Sequence, residues 1–136
     1  MKNRVMVIGA HPDDIEFGCG GTVVKHIKNG DSVVYVCMTN TQSVDGVTGK
    51  ILRTESENRT EVEEAAQTLG CEIVEFLPFK DLHVPFNFTA VSKLDGLIKK
   101  YNIDTIYTHW AGDANQDHIA TFKTTMAAAR YVPNVY

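Results

Sequence analysis

Near the start of the chain stands the segment Val5-Met6-Val7-Ile8-Gly9-Ala10-His11-Pro12-Asp13-Asp14. Its Val- and Ile-rich half is followed by a polar cluster and then by glycines that open a helical pattern, which predicts a strand, a loop and a helix. An imidazole and two carboxylates beside a proline are costly to hold together unless a cation or a substrate uses them. A second interpretation is that Asp13 and Asp14 only cap the helix and that His11 is a solvated loop residue.

A second stretch, from residue 103 to residue 118, repeats this pattern. A predicted strand over 103–109 is followed by a polar loop that ends at His118, where another helix begins. In a doubly wound parallel sheet, the strand ends on either side of the switch in strand order face one crevice, and ligands bind there. If the strand over 103–109 lies beside the first strand, His11, Asp14 and His118 converge on one point.

The whole chain alternates strands with helices, which is typical of an α/β fold with a doubly wound parallel sheet flanked by helices. We predict strands over 3–9, 32–38, 72–77 and 103–109, the opening of a fifth strand over 132–136, and helices over 18–29, from 54, over 89–101 and from 118. In the last helix, Ile119, Phe122, Met126 and Ala129 are predicted to be buried. Residues 39–53 show no period, so we expect a long loop that either contacts substrate or is disordered.

Length and composition set the outer limits. A chain of 136 residues, 43% of them hydrophobic, suits a single domain over 1–136. The net charge of −4 and the scattered Lys and Arg residues give no sign of a nucleic-acid or anionic-membrane surface. Three cysteines without a Cys-x-x-Cys pair, namely Cys19, Cys37 and Cys71, predict reduced thiols and a cytoplasmic protein. Neither a signal peptide nor an apolar run long enough to span a membrane is expected.

The two polar stretches carry a resemblance to a known family. His11-Pro12-Asp13-Asp14, together with Glu16 and the glycine-rich residues 18–22, resembles the signature of the LmbE-like, or PIG-L, family of metal-dependent N-deacetylases. The segment 113–118, Asp-Ala-Asn-Gln-Asp-His, resembles the second motif of that family. Two motifs in the expected order, each at a strand end, are more specific than either one. The resemblance implies a Rossmann-like fold and a zinc hydrolase that removes acetyl from an N-acetylated amino sugar or sugar conjugate.

The family domain usually continues beyond the point where this chain stops. We therefore expect either a C-terminally short version of the domain or a partner chain, as in a homo-oligomer, that completes the sheet.

Matching the motifs residue by residue implies individual roles. His11, Asp14 and His118 would hold the metal, which would be zinc, although two imidazoles and a carboxylate also suit Fe2+. Asp13 would act as the general base toward water and later as the acid toward the leaving amine. Asp117 would hydrogen-bond a ligand imidazole and so orient it.

Substrate contacts are less well defined by the sequence. The family contacts its substrate with an arginine, which Arg53 or Arg59 would supply here, while each could equally be a salt-bridged surface residue. His109, at the end of its strand, is predicted to face the site as a substrate contact or as a partner of a metal ligand, or else only to end the strand. Asp81 would orient the metal loop or the sugar, or cap a turn.

One position departs from the family pattern. Asn115 stands where the family usually has a histidine that stabilises the oxyanion. An amide can donate a hydrogen bond to that oxygen, but it cannot donate a proton near pH 7 as histidine can. The alternative function is therefore a metal-binding relative with weak or no catalysis.

A third hypothesis is a nucleotide-binding domain, because a strand, a glycine-rich turn and a helix can cradle a phosphate. Against it, Gly18-x-Gly20-Gly21 lacks the Gly-x-Gly-x-x-Gly spacing, and no acidic residue closes the second strand.

Overall fold

The computed structural model describes residues 2–39 and 42–136. In chain order its elements are β1 (Arg4–Gly9), α1 (Asp14–Lys28), β2 (Ser32–Thr39), β3 (Ser43–Val44), β4 (Ile51–Arg53), α2 (Glu55–Leu69), β5 (Ile73–Phe79), α3 (Phe88–Lys100), β6 (Thr105–Tyr107), α4 (Gln116–Ala128) and β7 (Asn134–Val135). Five of the strands form one sheet in the order β5-β2-β1-β6-β7, and every pairing in it is parallel. The predicted doubly wound α/β fold is confirmed, and the strand order reverses between β1 and β6.

Alternation along β1 divides the core into two layers. Val5 and Val7 pack on one face of the sheet with Val23 of α1 and Val62 of α2. The opposite face carries Met6 and Ile8 of β1, against α3 and α4. Since successive side chains of a strand point to opposite faces, a sheet covered by helices on both sides requires strands that are apolar throughout.

The first helix begins earlier than predicted, at Asp14 rather than at residue 18. Asp13 adopts a φ of 81°, so the chain turns directly from the polar loop into the helix. Cys19 interrupts the helical geometry with a φ of −146°. The glycines around it weaken the helix rather than open it, and burial of Ile15 and Val23 against the sheet holds the two halves together.

The predicted loop over 39–53 contains a short antiparallel hairpin, formed by β3 and β4. The prediction is wrong for these residues, because strands this short show no sequence alternation that would distinguish them from a loop. Asp45 shapes the turn between them, since its Oδ1 accepts hydrogen bonds from the Val47 and Thr48 amides. Residues 40 and 41 of the predicted loop lie outside the described residues.

The buried face of α4 also differs from the prediction. Met126 is 45% exposed, and Ile119 and Phe122 are only half-buried. The helix instead buries a face of small side chains, Thr121, Thr124, Thr125 and Ala128. The predicted burial of Ala129, at the C-cap, is confirmed. The Thr124 hydroxyl donates to the Pro85 carbonyl and the Thr125 hydroxyl accepts from Thr108, while the buried Thr121 hydroxyl has no hydrogen-bond partner among the described residues.

The strand predicted over 103–109 is confirmed beside β1, although only Thr105–Tyr107 pair as a strand. The predicted fifth strand forms as β7 and pairs with β6. In the part of the chain that the structure describes, no helix has both the length and the apolar character needed to cross a membrane. The cytoplasmic location, the single domain over 1–136 and the homo-oligomer stay predictions.

Candidate metal centre and active site

The polar loops after β1 and β6 meet at the edge of the sheet where the strand order reverses. Pairing of Val5 with Thr105 and of Val7 with Tyr107 places the two strand ends side by side. His11 Nδ1 then lies 3.5 Å from Asp14 Oδ2, and His118 Nε2 lies 3.3 Å from Asp14 Oδ1. These three residues each offer a ligand atom within 4.8 Å of the others. The predicted convergence of His11, Asp14 and His118 is confirmed.

Each imidazole of this group is held from behind by a carboxylate. His11 Nε2 is 2.8 Å from Asp117 Oδ2, and His118 Nδ1 is 2.9 Å from Asp113 Oδ2. Asp117 is almost fully buried and also accepts a hydrogen bond from the Val84 amide. Such pairs fix the orientation of an imidazole and the nitrogen that faces a metal. They leave His11 Nδ1 and His118 Nε2 as the nitrogens nearest to Asp14.

Two imidazole nitrogens and one carboxylate oxygen are a donor set that zinc accepts in catalytic sites, where a fourth position is kept for water. The donors of this chain fit that requirement, and two overlapping groups, His109–Asp113–His118 and His11–Asp81–Asp117, lie beside them.

The charges of the cluster also suit a cation. Although burial opposes the charged imidazolium, hydrogen bonds to Asp117 and Asp14 raise the pKa of His11 to about 10. Burial alone would raise the pKa of Asp14, but its contact with the His109 ring and its contacts with the His11 side chain and amide hold that pKa below its ordinary range. Without a metal, the group therefore keeps a proton on His11, which a divalent cation would have to displace.

Asp13 differs from Asp14 in position and in the direction of its pKa shift. The residue as a whole is exposed, but partial burial of its carboxyl, together with the negative charges of Asp14 and Glu16, raises its pKa. Asp13 belongs to none of the metal-capable groups found among the described residues. It occupies the N-cap position of α1 but makes no side-chain cap hydrogen bond, and the His11 side chain is only 18% exposed. The interpretation of Asp13 as a cap and of His11 as a solvated loop residue is therefore wrong.

Asn115 is the N-cap residue of α4. Its Oδ1 accepts hydrogen bonds from the amides of Asp117, at 2.8 Å, and His118, at 3.4 Å. Because the helix amides require an oxygen, this bonding assigns the two ends of the side-chain amide and leaves the Nδ2 group as the donor. Asn115 also lines the cavity above the metal-capable group.

His109 lies behind the same group. Its Nε2 accepts a hydrogen bond from the Ala10 amide at 2.9 Å and is 3.3 Å from Asp14 Oδ2. Its ring stacks on His118 with the ring centroids 3.9 Å apart. His109 faces a smaller cavity of about 320 Å³ beside Trp110. The geometry favours a partner of the metal ligands over a contact with substrate in the main cavity.

The main cavity has a volume of about 710 Å³ and opens directly above His11 and Asp13. Its walls come from the β3–β4 hairpin and from one face of α2. Arg53 of the hairpin lines it, whereas the guanidinium of Arg59 lies over the Phe76 ring at 4.4 Å and pairs with Glu63. The placement therefore favours Arg53 over Arg59 as the arginine that faces a substrate.

Several residues of this region had no role predicted from the sequence. Glu16, Asn58 and Glu61 line the cavity, and Asp113 holds His118. Asn58 and Glu61 are one helical turn apart, so the face of α2 that they share could have been found once the start of that helix at Thr54 was accepted. Asp81 joins the metal loop to the hairpin, since its Oδ1 is 3.3 Å from His11 Nε2 and its Oδ2 accepts from the Val44 amide.

Comparison with known proteins agrees with this geometry. A curated relative from Escherichia coli K12, "Uncharacterized deacetylase YaiS", is 35% identical over 98% of this chain and 72% of its own length. The diacetylchitobiose deacetylase of Thermococcus kodakarensis is 33% identical over 71% of this chain, which spans 37% of that protein. The crystal structure of the N,N'-diacetylchitobiose deacetylase of Pyrococcus horikoshii superposes with a TM-score of 0.82 at 27% identity, over 95% of this chain and 50% of that one.

The matching family model is described as PIG-L, GlcNAc-PI de-N-acetylase, and it covers residues 6–129. Both sequence motifs and nearly every element of the fold lie within that range. The chain belongs to the PIG-L family, and its homologues are LmbE-like deacetylases.

Proposed function

We propose that the chain carries the catalytic centre of a zinc-dependent hydrolase that removes acetyl from an N-acetylated amino sugar or sugar conjugate. The observation that carries the proposal is the approach of His11, Asp14 and His118 within ligand distance of one another beside a cavity that also exposes Asp13. The relatives add support, because the names of two of them refer to deacetylation of N-acetylated sugars. The chain spans only part of these proteins, so substrate and activity are proposals here.

His11, Asp14 and His118 would hold the metal, with Asp117 and Asp113 fixing the two imidazoles. Zinc at such a site lowers the pKa of water toward about 7 and polarises an amide carbonyl. Asp13 accepts the proton of the attacking water and returns it to the nitrogen as the C–N bond breaks, so that acetate and an amine leave. Its raised pKa suits a group that must both take up and release a proton.

Asn115 would supply a hydrogen-bond donor to the substrate. Its Oδ1 is used by the start of α4, so its Nδ2 group can donate a hydrogen bond to the amide oxygen as negative charge develops there. A second candidate function, metal binding with little catalysis, is favoured by the same residue, because an amide cannot also transfer a proton. Fe2+ suits the same donor set.

Metal content per chain, measured by mass spectrometry, tests the proposal first. We expect about one zinc per chain in the wild type, loss of that zinc in His118→Ala, and retention of it in Asp13→Asn. Release of acetate from N-acetylglucosamine and diacetylchitobiose should be lost in both variants, because His118→Ala lacks the metal and Asp13→Asn lacks the general base. The proposal would be contradicted if the wild-type protein held no metal even after zinc was added back. Wild-type protein that binds zinc but releases no acetate would favour the second candidate function.

A further inference from the structure

The main cavity above the metal-capable group has walls of one predominant charge. Its lining residues include four carboxylates and one arginine, namely Asp13, Glu16, Glu61, Asp81 and Arg53. No lysine lines this cavity in the part of the chain that the structure describes. The wall that a substrate meets above the reacting amide is therefore acidic.

Arg53 is the one lysine or arginine among the described residues that line this cavity, and it is already paired. Arg53 Nε is 3.3 Å from Glu61 Oε1, and its Nη1 donates to the Leu52 carbonyl. Both side chains of the ion pair are about half exposed, so the pair stands at the mouth of the cavity. An anionic substrate group would have to compete with Glu61 for Arg53, while a cationic or neutral group would not.

Glu16 is fixed in the wall by a buried group. The Tyr35 hydroxyl donates toward its carboxylate, 2.9 Å from Oε2 and 3.0 Å from Oε1, and Tyr35 itself is fully buried. Because the tyrosine ring is held within the core below the sheet edge, the carboxylate cannot swing away from the cavity without losing this bond. The Glu16 carboxylate is therefore held in the wall of the cavity.

We propose that this cavity selects N-acetylated sugars whose substituent next to the amide is uncharged or cationic, and that it discriminates against conjugates carrying a carboxylate or phosphate there. The inference rests on the proposed deacetylase function and specifies its substrate class. Carboxylates held within a partly enclosed cavity repel a like charge more strongly than exposed carboxylates do. A metal held at the base of the site would be faced by the Asp14 carboxylate, and the imidazoles of His118 and His11 are paired with Asp113 and Asp117. The carboxylates farther out in the cavity would therefore determine the sign of the charge that the substituent meets.

Binding of product amines to the zinc-loaded full chain tests the proposal without turnover. Three glucosamine glycosides serve as probes, with methyl, 2-aminoethyl and carboxymethyl substituents, measured by isothermal titration calorimetry. We expect the carboxymethyl glycoside to bind about tenfold more weakly than the methyl glycoside at low salt. The difference should shrink at high salt, because screening shortens the range of the repulsion.

Two charge-matched variants show whether the cavity wall is responsible. Glu61 and Glu63 lie on the same helix, are 56% and 53% exposed, and each pairs with an arginine at 3.3 Å, but only Glu61 lines the cavity. Glu61→Gln should reduce severalfold the difference in binding affinity between the carboxymethyl and methyl glycosides, and Glu63→Gln should leave that difference unchanged.

Two outcomes would overturn the proposed selectivity: equal effects of Glu61→Gln and Glu63→Gln on the difference in affinity, or equally tight binding of the carboxymethyl and methyl glycosides. The deacetylase proposal would stand in both cases if acetate were still released. Failure of all three amines to bind, together with no acetate release, would overturn both.

Discussion

Asn115 combines a structural role with a proposed catalytic one, and the two can be separated by substitution. Its Oδ1 caps α4, and its Nδ2 group is the donor left for the substrate oxygen. Asparagine and aspartate are about equally good N-cap residues, so Asn115→Asp keeps the cap while it replaces the donor by an oxygen. We predict that this variant melts within a few degrees of the wild type and that its kcat for acetate release falls about a hundredfold.

Asn115→Ala is the companion variant, because it removes the donor and the cap together. It should lose activity to a similar degree and, in addition, about 1 kcal/mol of stability. Wild-type activity in Asn115→Asp would show that the amide does not stabilise the oxyanion.

Asp117 holds His11 from inside the core, and its removal should weaken metal binding without removing a ligand. In Asp117→Asn the amide oxygen can still accept from the Val84 amide, but the carboxylate that faces His11 Nε2 is gone. Loss of such a partner typically lowers metal affinity about 10- to 100-fold. Competition with a zinc chelator measures this change.

A matched control for that variant exists elsewhere on the chain. Asp31 Oδ2 pairs with His26 Nδ1 at 2.7 Å, outside the metal-capable groups found among the described residues. Asp31→Asn should leave the zinc affinity unaltered. Equal zinc affinities in the wild type and Asp117→Asn would mean that the carboxylate does not orient a ligand.

Single residues of the site were predictable where their chemistry is unusual for a loop. His11, Asp14 and His118 stand out because imidazoles and carboxylates follow apolar strands. Glu16 was noticed only as part of the first motif, and Asn58 not at all, since polar residues on helices are ordinarily solvated. Only the direction in which each helix faces shows that these two side chains line a cavity.

At the level of elements, α2 offers a stability test away from the metal. Thr54 and Glu57 form a capping box in which the Thr54 hydroxyl accepts from the Glu57 amide and the Glu57 carboxylate accepts from the Thr54 amide. Thr54→Ala should destabilise the protein by about 1 kcal/mol at pH 7, measured by urea unfolding of the metal-free protein.

The pH dependence of this effect has a definite sign. Hydrogen bonds from the Thr54 amide and hydroxyl lower the pKa of Glu57 below its ordinary value of 4.5. A lowered pKa in the folded state contributes stability that is present above 4.5 and is lost as the pH falls through the folded-state value. The difference between wild type and Thr54→Ala should therefore shrink at pH 4 and below, and a constant difference would contradict the capping box.

Helices and strands were predictable where burial imposes a regular pattern of apolar residues on the sequence. They were not predictable where tertiary packing determines which side chains are buried. Strands β1 and β2 are nearly continuous apolar runs because both faces are covered, and α3 buries Leu94 and Ile98 at helical spacing. The hairpin of β3 and β4 is too short to show a period. The threonine face of α4 was missed because hydropathy favours Met126, whereas close packing beside the sheet favours small side chains.

For the whole molecule, topology brings two distant parts of the chain into one site. His11 follows β1 and His118 opens α4, so a metal held by both would tie the beginning of the fold to its last helix. A ligand that binds only the folded state stabilises it by about 2.7 kcal/mol when its free concentration is a hundred times its Kd. We predict a corresponding rise in Tm of the metal-free protein when zinc is added, measured by differential scanning calorimetry.

The variants of this last experiment decide where the metal lies. His118→Ala should abolish the rise in Tm, while His83→Ala, which removes an exposed imidazole outside the metal-capable groups of the described residues, should keep it. A rise that persists in His118→Ala would place the cation between His11, Asp81 and Asp117 instead. That outcome would separate the metal from Asp14 and His118, two of its three proposed ligands, and would contradict the metal site on which the proposed mechanism rests.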